Sequence, residues 1–403
     1  MTQIRVIDAL MGRGKSSAAI RYMNEHKDEE RFLYITPILT EVDRICEVCD
    51  FDQPDSDHLT KSTELKKHLR RGDNVAASHS LFYLMDEEAR ELVREKGYHL
   101  FIDESISVIE RKNVTVHDRR LILDILTTHD DRGAVKWIDP EYQGKFSGYK
   151  ELADTGHLFV LDSALIEILD PETLRCFRRV TALTYLFTGS TMEAYFKYYG
   201  FDYTVSGVDR DERGFYFTDS PDIPPPIDYT NLIRIVDCKK MNSVGDQYYA
   251  LSKKWYEQHG ANNTDIRKLR NSMDNFFRNM MRSDSKNRLW TCFKGDIDKV
   301  GGGRYRRSFL NLGAKATNQY ASVTNLAYMV NRFADPNIKK FFGERGIEID
   351  PKNFALSEML QWIWRSAIRN GKPINLYIPS RRMREYLLSW MEEMKAGGER
   401  SAS

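Results

Sequence analysis

The chain has 403 residues, of which 41% are hydrophobic and 30% charged, with a formal net charge of +1. That length supports two or three domains with real cores, and near-neutrality excludes a global field drawing the chain onto nucleic acid, so any such affinity must come from local patches. The scattered Cys46, Cys49, Cys176, Cys238 and Cys292 exclude a disulfide scaffold and suit a reducing cytoplasm, and no apolar run reaches membrane-spanning length.

In chain order, Ile4-Arg5-Val6-Ile7 predicts a buried strand, and a helix is expected from Ser17 to Met23. Apolar runs at 31–35, 74–77, 99–102, 184–187 and 203–205 predict further strands of a mostly parallel α/β sheet. Residues 106–178, around Leu121–Leu126 and Leu161–Leu169, are charged and helix-patterned, so a helical insertion is expected there. Pro221, Pro224, Pro225 and Pro226 cannot sit within a helix or a central strand and mark a linker over 221–229. Runs at 232–236, 288–293 and 374–378 predict a second sheet, with a basic helical insertion over about 240–287. An amphipathic helix from Met383 to Met394 closes the chain, followed by a small polar tail, 396–403, expected to be disordered. The expected domains are therefore 1–220 and 230–395.

Between the first strand and its helix stands Ala9-Leu-Met-Gly12-Arg-Gly14-Lys15-Ser16. A Gly-rich turn between a strand and a helix gathers backbone N–H groups into an anion cradle. Gly12, Gly14, Lys15, Ser16 and Ser17 are the expected ATP contacts, with Lys15 reaching the β- and γ-phosphates and Ser16 completing a Mg²⁺ shell. Ala9 stands where the strict motif has its first glycine. The run 99–102 ends in Asp103-Glu104-Ser105, and acids at the carboxyl end of a parallel strand lie on the ligand side of the sheet. Asp103 is expected to hold Mg²⁺ and Glu104 to polarise the attacking water. Near the other end of the chain, Gln361, Arg365 and Arg369 are spaced by four on one face of a predicted helix, with Arg365 and Arg369 expected as a pair of arginine fingers toward a γ-phosphate.

A phosphate turn, an Asp-Glu strand end and a Gln-x-x-x-Arg-x-x-x-Arg segment, in that order, resemble the superfamily 2 helicases. Residues 355–369, with Tyr377-Ile-Pro-Ser-Arg-Arg-Met-Arg384, look like helicase-like (DEAD/DEAH-type) proteins of tailed bacteriophages. The resemblance implies two RecA-like P-loop domains with parallel sheets flanked by helices, a helical insertion in each, and ATP hydrolysis stimulated by nucleic acid. It implies that Thr36, Pro37, Ser78 and His79 touch a single strand and that Thr188, Gly189 and Ser190 couple hydrolysis to domain movement. It further implies that Gly313 to Asn318 falls near a motif of the second domain, with Lys294 in a weaker one. Thr-Gly-Ser departs from the usual Ser/Thr-Ala-Thr, and Trp364 replaces a glycine that commonly precedes the first arginine. The chain starts three residues ahead of its first strand, so loose discrimination of the nucleotide base is expected.

From Ala261 to Leu310, Lys and Arg outnumber Asp and Glu. Arg267, Lys268, Arg270, Arg304 and Arg306 are expected to line a phosphate groove, with Tyr305 stacking on a base and Gly301-Gly302-Gly303 forming a mobile loop. Cys46-Glu-Val-Cys49 is expected to be a buried helical pair rather than half a zinc site. The expected function is a DNA helicase or translocase acting on single-stranded or forked DNA in a bacterial host's cytoplasm, with a replication or recombination loading partner. An RNA-directed ATPase, a P-loop nucleotide transferase and a non-hydrolysing recruitment protein are the alternatives.

Overall fold

The computed structural model describes residues 2–55, 60–221, 228–313 and 319–401, with side chains through 396. The chain forms two compact units: Met1–Ala9, Lys15–Pro221 and Ala334–Asp350 make the first, and Leu10–Gly14, Asp222–Phe333 and Pro351–Ser403 the second. Among the described residues no helix is long and apolar enough to cross a membrane.

The first unit is built on β1 (Gln3–Asp8), β2 (Phe32–Thr36), β3 (Val75–Ser78) and β4 (His99–Asp103). An insertion follows, with β5 (Ile109–Arg111), β6 (Thr127–His129), β7 (Val135–Trp137), β8 (Leu158–Leu161) and β9 (Ala164–Ile168). The main sheet resumes with β10 (Arg179–Thr184), β11 (Tyr203–Asp211) and β12 (Gly214–Thr218). Its order is β12-β11-β1-β10-β4-β2-β3, parallel except for the β11–β12 hairpin. Consecutive apolar residues fill the strands because both faces are covered. Phe32, Leu33, Tyr34 and Ile35 are fully buried, as are Leu100, Phe101 and Ile102. Register brings the carboxyl ends together: Asp8 lies opposite Thr184, Leu183 opposite Asp103, and Thr36 opposite Ser78.

Three expectations for this unit are corrected. Residues 184–187 are not a strand, because β10 ends at Thr184. The Asp8 carboxylate accepts the Leu186 and Phe187 N–H groups at 2.9 and 3.0 Å, and Leu186 is left-handed at φ 56°, so the ladder stops there. The insertion over 106–178 is not simply helical: β5-β9-β8 form an antiparallel sheet and β6–β7 a ribbon. Leu161–Leu169, expected as helix, turns through left-handed Asp162 and Ser163 into β9, the geometry of a two-residue hairpin loop. Ile122, Val135, Trp137, Phe146 and Leu158 give the insertion a small core of its own. Finally, residues 334–350, expected in the second domain, belong to the first unit. The helix Pro336–Gly343 brings Phe341 to 5.2 Å from Phe159 of the insertion and 5.6 Å from Tyr198.

The second unit carries β13 (Ile233–Ile235), β14 (Arg288–Thr291), β15 (Asn325–Tyr328) and β16 (Ile374–Tyr377), all parallel in the order β13-β16-β15-β14. Strand β15 was not anticipated, although the apolar run Leu326-Ala-Tyr-Met-Val330 was its available signal. The helix Thr264–Asn275 buries Ile266, Leu269 and Met273 against this sheet's core. The closing helix spans Arg381–Ser401, so most of the expected polar tail continues it; Lys395, Ala396, Glu399 and Arg400 favour helix once one is nucleated. The prolines at 224–226 lie outside the described residues, as do residues 314–318 of the expected motif after Gly313.

Candidate nucleotide site and nucleic-acid surface

The phosphate turn leaves β1 and feeds the helix Lys15–His26. Gly12 and Gly14 are left-handed at φ 77° and 83°, a conformation that side chains other than glycine resist. The Lys15 ammonium donates to the Ala9 carbonyl. The Ser16 hydroxyl donates to the Asp103 carboxylate at 3.3 Å, across 87 residues of sequence. Ala9 N–H bonds to Thr184 O at 3.1 Å, and Ser105 Oγ meets Thr184 Oγ1 at 2.9 Å, so the ends of β1, β4 and β10 are tied at one edge.

Burial pushes the Asp103 carboxyl up to about 7, with the neighbouring Glu104 charge adding to the shift and Tyr34 and Lys15 opposing it. A buried carboxylate whose ionised form is this disfavoured is a group that a divalent cation stabilises. Glu104 is half-exposed and left-handed at φ 63°, a conformation that non-glycine residues adopt at a cost. A hydroxyl, a buried carboxylate and a glycine turn at one strand edge match the hard oxygen donors Mg²⁺ selects and the cradle a triphosphate needs.

Sequence reasoning missed three residues here. Tyr34 is fully buried beside Asp103; burial raises its phenol far above the usual range and the Asp103 charge reinforces this. Asp8 fixes the loop carrying Thr188, and burial raises its carboxyl while the Phe187 and Leu186 N–H groups pull it back. An acid ending the first strand, as Asp103 ends the fourth, was the available signal. Asp350, in turn, donates its N–H to Gly189 O at 2.9 Å. Gly189 is left-handed at φ 76°, and a Cβ there would fall 2.4 Å from Asp350 Cβ. Within the expected coupling triad, Thr188 is exposed, while Ser190 caps the helix Thr191–Tyr199 by accepting Glu193 N–H at 3.2 Å.

The expected strand-contacting residues fare unequally. Thr36 is fully buried, and its hydroxyl has no hydrogen-bond partner among the described residues, so Pro37, half-exposed, is what that loop turns outward. Ser78 is engaged as a cap, accepting Leu81 N–H at 3.3 Å, and His79 beside it is half-buried.

The second unit corrects more. The helix carrying Gln361 runs Pro351–Ile363 and stops, so Arg365 and Arg369 do not share its face. Ser366, fully buried, donates its hydroxyl to Ile363 O at 2.6 Å in an extended conformation, and Ala367 N–H turns away to Val323 O at 2.9 Å. Arg365 is half-exposed and Arg369, on a 3₁₀ turn, is exposed. Trp364 packs inward, with ring centroids 5.2 Å from Tyr229 and 5.9 Å from Trp390.

In the basic stretch, Tyr305 is not a base-stacking residue. It is 2% exposed, its hydroxyl donates to Asp274 at 2.8 Å, and its ring lies 5.5 Å from Phe277. Arg304 pairs with Asp274 and Arg306 with Asp298, at 2.8 and 2.7 Å, and Arg270 donates twice to Lys299 O. Arg267, Lys268 and Lys294 are exposed, and Lys268 lies 3.5 Å from Asp265. The triple glycine is not a free loop: it joins two short helices, and a Cβ on Gly301 would fall 2.2 Å from the Trp290 ring. Cys46 and Cys49 are free thiols on one helix, both pushed up to about 11 by burial, which suits packing rather than metal ligation.

A family model described as the YonV C-terminal Rossmann-like domain matches residues 227–391. The SPbeta prophage-derived uncharacterized protein YonV of Bacillus subtilis (strain 168) is 35% identical over 414 residues, covering 98% of this chain and all of that protein. Among solved structures, XPD in an apo form shares 12% identity at a TM-score of 0.45, over 96% of this chain and 95% of that one.

Proposed function

The chain belongs to the YonV family, and we propose that it is an ATP-driven nucleic-acid motor, a helicase or translocase acting on single-stranded or forked DNA. One observation carries this reading. The phosphate turn and the Asp-Glu strand end meet at the carboxyl edge of one parallel sheet, Ser16 Oγ 3.3 Å from Asp103.

Backbone N–H groups from Gly12 to Ser16 would cradle the phosphates, and Lys15 would leave the Ala9 carbonyl to neutralise β- and γ-oxygens. Ser16 and Asp103 would hold Mg²⁺, whose chemistry there would be charge neutralisation of the bound phosphates. Glu104 orients the attacking water and accepts its proton. Asp8 holds the 186–187 loop that leads into Thr188, Gly189 and Ser190, the residues we propose to couple hydrolysis to movement.

The test is ATP turnover with single-stranded DNA, single-stranded RNA, forked duplex and no nucleic acid. Stimulation by DNA is expected. Turnover indifferent to every nucleic acid would instead favour a nucleotide transferase, and stimulation by RNA alone would redirect the substrate.

A further inference from the structure

Tyr305 is buried and cannot stack on a base, whereas other rings of the second unit are exposed. Three aromatic side chains meet outside its core. Tyr248 and Tyr249 are 54% and 67% exposed, large values for rings in an ordered loop. Their centroids lie 4.9 Å apart, and Phe333, half-buried, sits 5.7 and 5.5 Å from them.

This cluster is held in place. Asn331, fully buried, donates its side-chain amide to Tyr248 O at 2.7 Å and Ala250 O at 2.9 Å, and its N–H bonds to Leu251 O at 2.9 Å. Leu251 itself is left-handed at φ 63°. A strained residue persists only where its surroundings over-determine it, so the tyrosine loop is preorganised. Behind the rings lies Arg382, only 4% exposed, its carbon 4.0 Å from the Phe333 centroid and 5.6 Å from that of Tyr248. Its guanidinium donates to neutral acceptors: Asn331 Oδ1 at 2.9 Å, Arg332 O at 2.6 Å and Pro351 O at 3.2 Å. A cation under one side of an aromatic cluster leaves the other side available for a further π system.

Place and charge agree. The tyrosine loop follows β13, Phe333 follows β15 and Arg382 follows β16, so the cluster stands at the carboxyl ends of parallel strands, where α/β sheets receive ligands. Over 236–254 the sequence carries Lys239, Lys240, Lys253 and Lys254 against Asp237 and Asp246, and all four lysines are exposed. Rigid rings flanked by cations suit unstacked bases on a phosphate backbone.

We propose that Tyr248, Tyr249 and Phe333 form a stacking platform for bases of single-stranded nucleic acid, with Arg382 as the positioning residue beneath it. This rests on the motor reading and gives it a base-contacting surface. Fluorescence anisotropy with a 12-nucleotide single-stranded DNA tests it, on the full chain. Tyr249→Ala should weaken binding about 5- to 150-fold, the range of one lost base stack, while ATP turnover without DNA stays at the parent rate. Tyr249→Trp should bind at least as tightly as the parent. An abasic oligonucleotide should bind the parent and Tyr249→Ala equally. Parent-like affinity for Tyr249→Ala and for the double variant with Tyr248→Ala overturns the platform and points to a protein partner for these rings. Equal loss on the abasic strand also overturns it, since the rings would then act through the fold. A parent that hydrolyses ATP but binds no oligonucleotide rejects the platform and leaves the ATP site standing. Hydrolysis unaffected by Lys15→Ala rejects the ATP site, whatever the platform does.

Discussion

The two parallel sheets expose different chemistry at the same kind of edge. At the first, strand ends bring acids and hydroxyls inward: Asp8, Thr184 and Asp103 register beside a turn whose glycines are left-handed. At the second, the strand ends lead into aromatic rings and lysines that face outward, over a buried guanidinium. One edge is suited to holding a small, highly charged group in a buried setting, the other to holding an extended, stackable chain at the surface. The fold supplies the edge in both cases; side chains decide what it holds.

That contrast can be broken, beginning with the largest effect. Lys15→Ala is expected to lower ATP turnover at least about 10²- to 10³-fold, the scale of losing one preorganised donor to developing charge, without altering the thermal melt. Tyr249→Ala should do the reverse, impairing DNA binding and sparing basal turnover. A turnover loss in Tyr249→Ala as deep as in Lys15→Ala would merge the two edges into one site.

Gly189→Ala probes the first edge from behind. At φ 76°, with Asp350 Cβ 2.4 Å from the added methyl, it should cost about 1–3 kcal/mol by thermal or urea unfolding. It should also lower the stimulation of turnover by DNA more than basal turnover, because Gly189 lies in the proposed coupling loop between Thr188 and Ser190. Unchanged stability would show that this approach is looser than the structure has it.

Asp103→Asn should lose turnover yet gain stability. The folded carboxyl ionises near about 7 against an ordinary 3.8, so the parent loses stability as pH rises between those values and no further above about 7. The melting-temperature advantage of Asp103→Asn should therefore grow over that window and level off. An advantage independent of pH would mean that charge burial is not its cause.

The smallest effect belongs to Arg304→Ala. Its guanidinium is exposed and paired with Asp274, so the melting temperature should stay parent-like. The salt dependence of DNA binding should stay parent-like, and a shallower salt slope would restore Arg304 as a phosphate contact.

The first edge was legible in the sequence because its motifs have a backbone mechanism. A glycine turn between strand and helix admits few geometries, and an acid at the end of an apolar run lands at a strand's carboxyl end. The second edge was not. Arginine spacing of four assumed a helix continuing through Ser366, and nothing in the run of types announces that its hydroxyl would take the Ile363 carbonyl. Tyr305 read as a stacking residue because it sits among arginines, yet Asp274, thirty-one residues away, accepts its hydroxyl in the core. Tyr248 and Tyr249 were passed over because exposure depends on Asn331, 83 residues from Tyr248 in sequence. Compositional patches report which residues are near in the chain, whereas binding surfaces depend on which remain uncommitted after folding.

Single-turnover ATP hydrolysis by the purified chain and by Lys15→Ala, with Mg²⁺ and single-stranded DNA saturating, probes the first edge most directly. The expected result is Mg²⁺-dependent hydrolysis by the parent that Lys15→Ala abolishes. Equal hydrolysis by both proteins, or a folded parent that neither binds nor hydrolyses ATP, would contradict it.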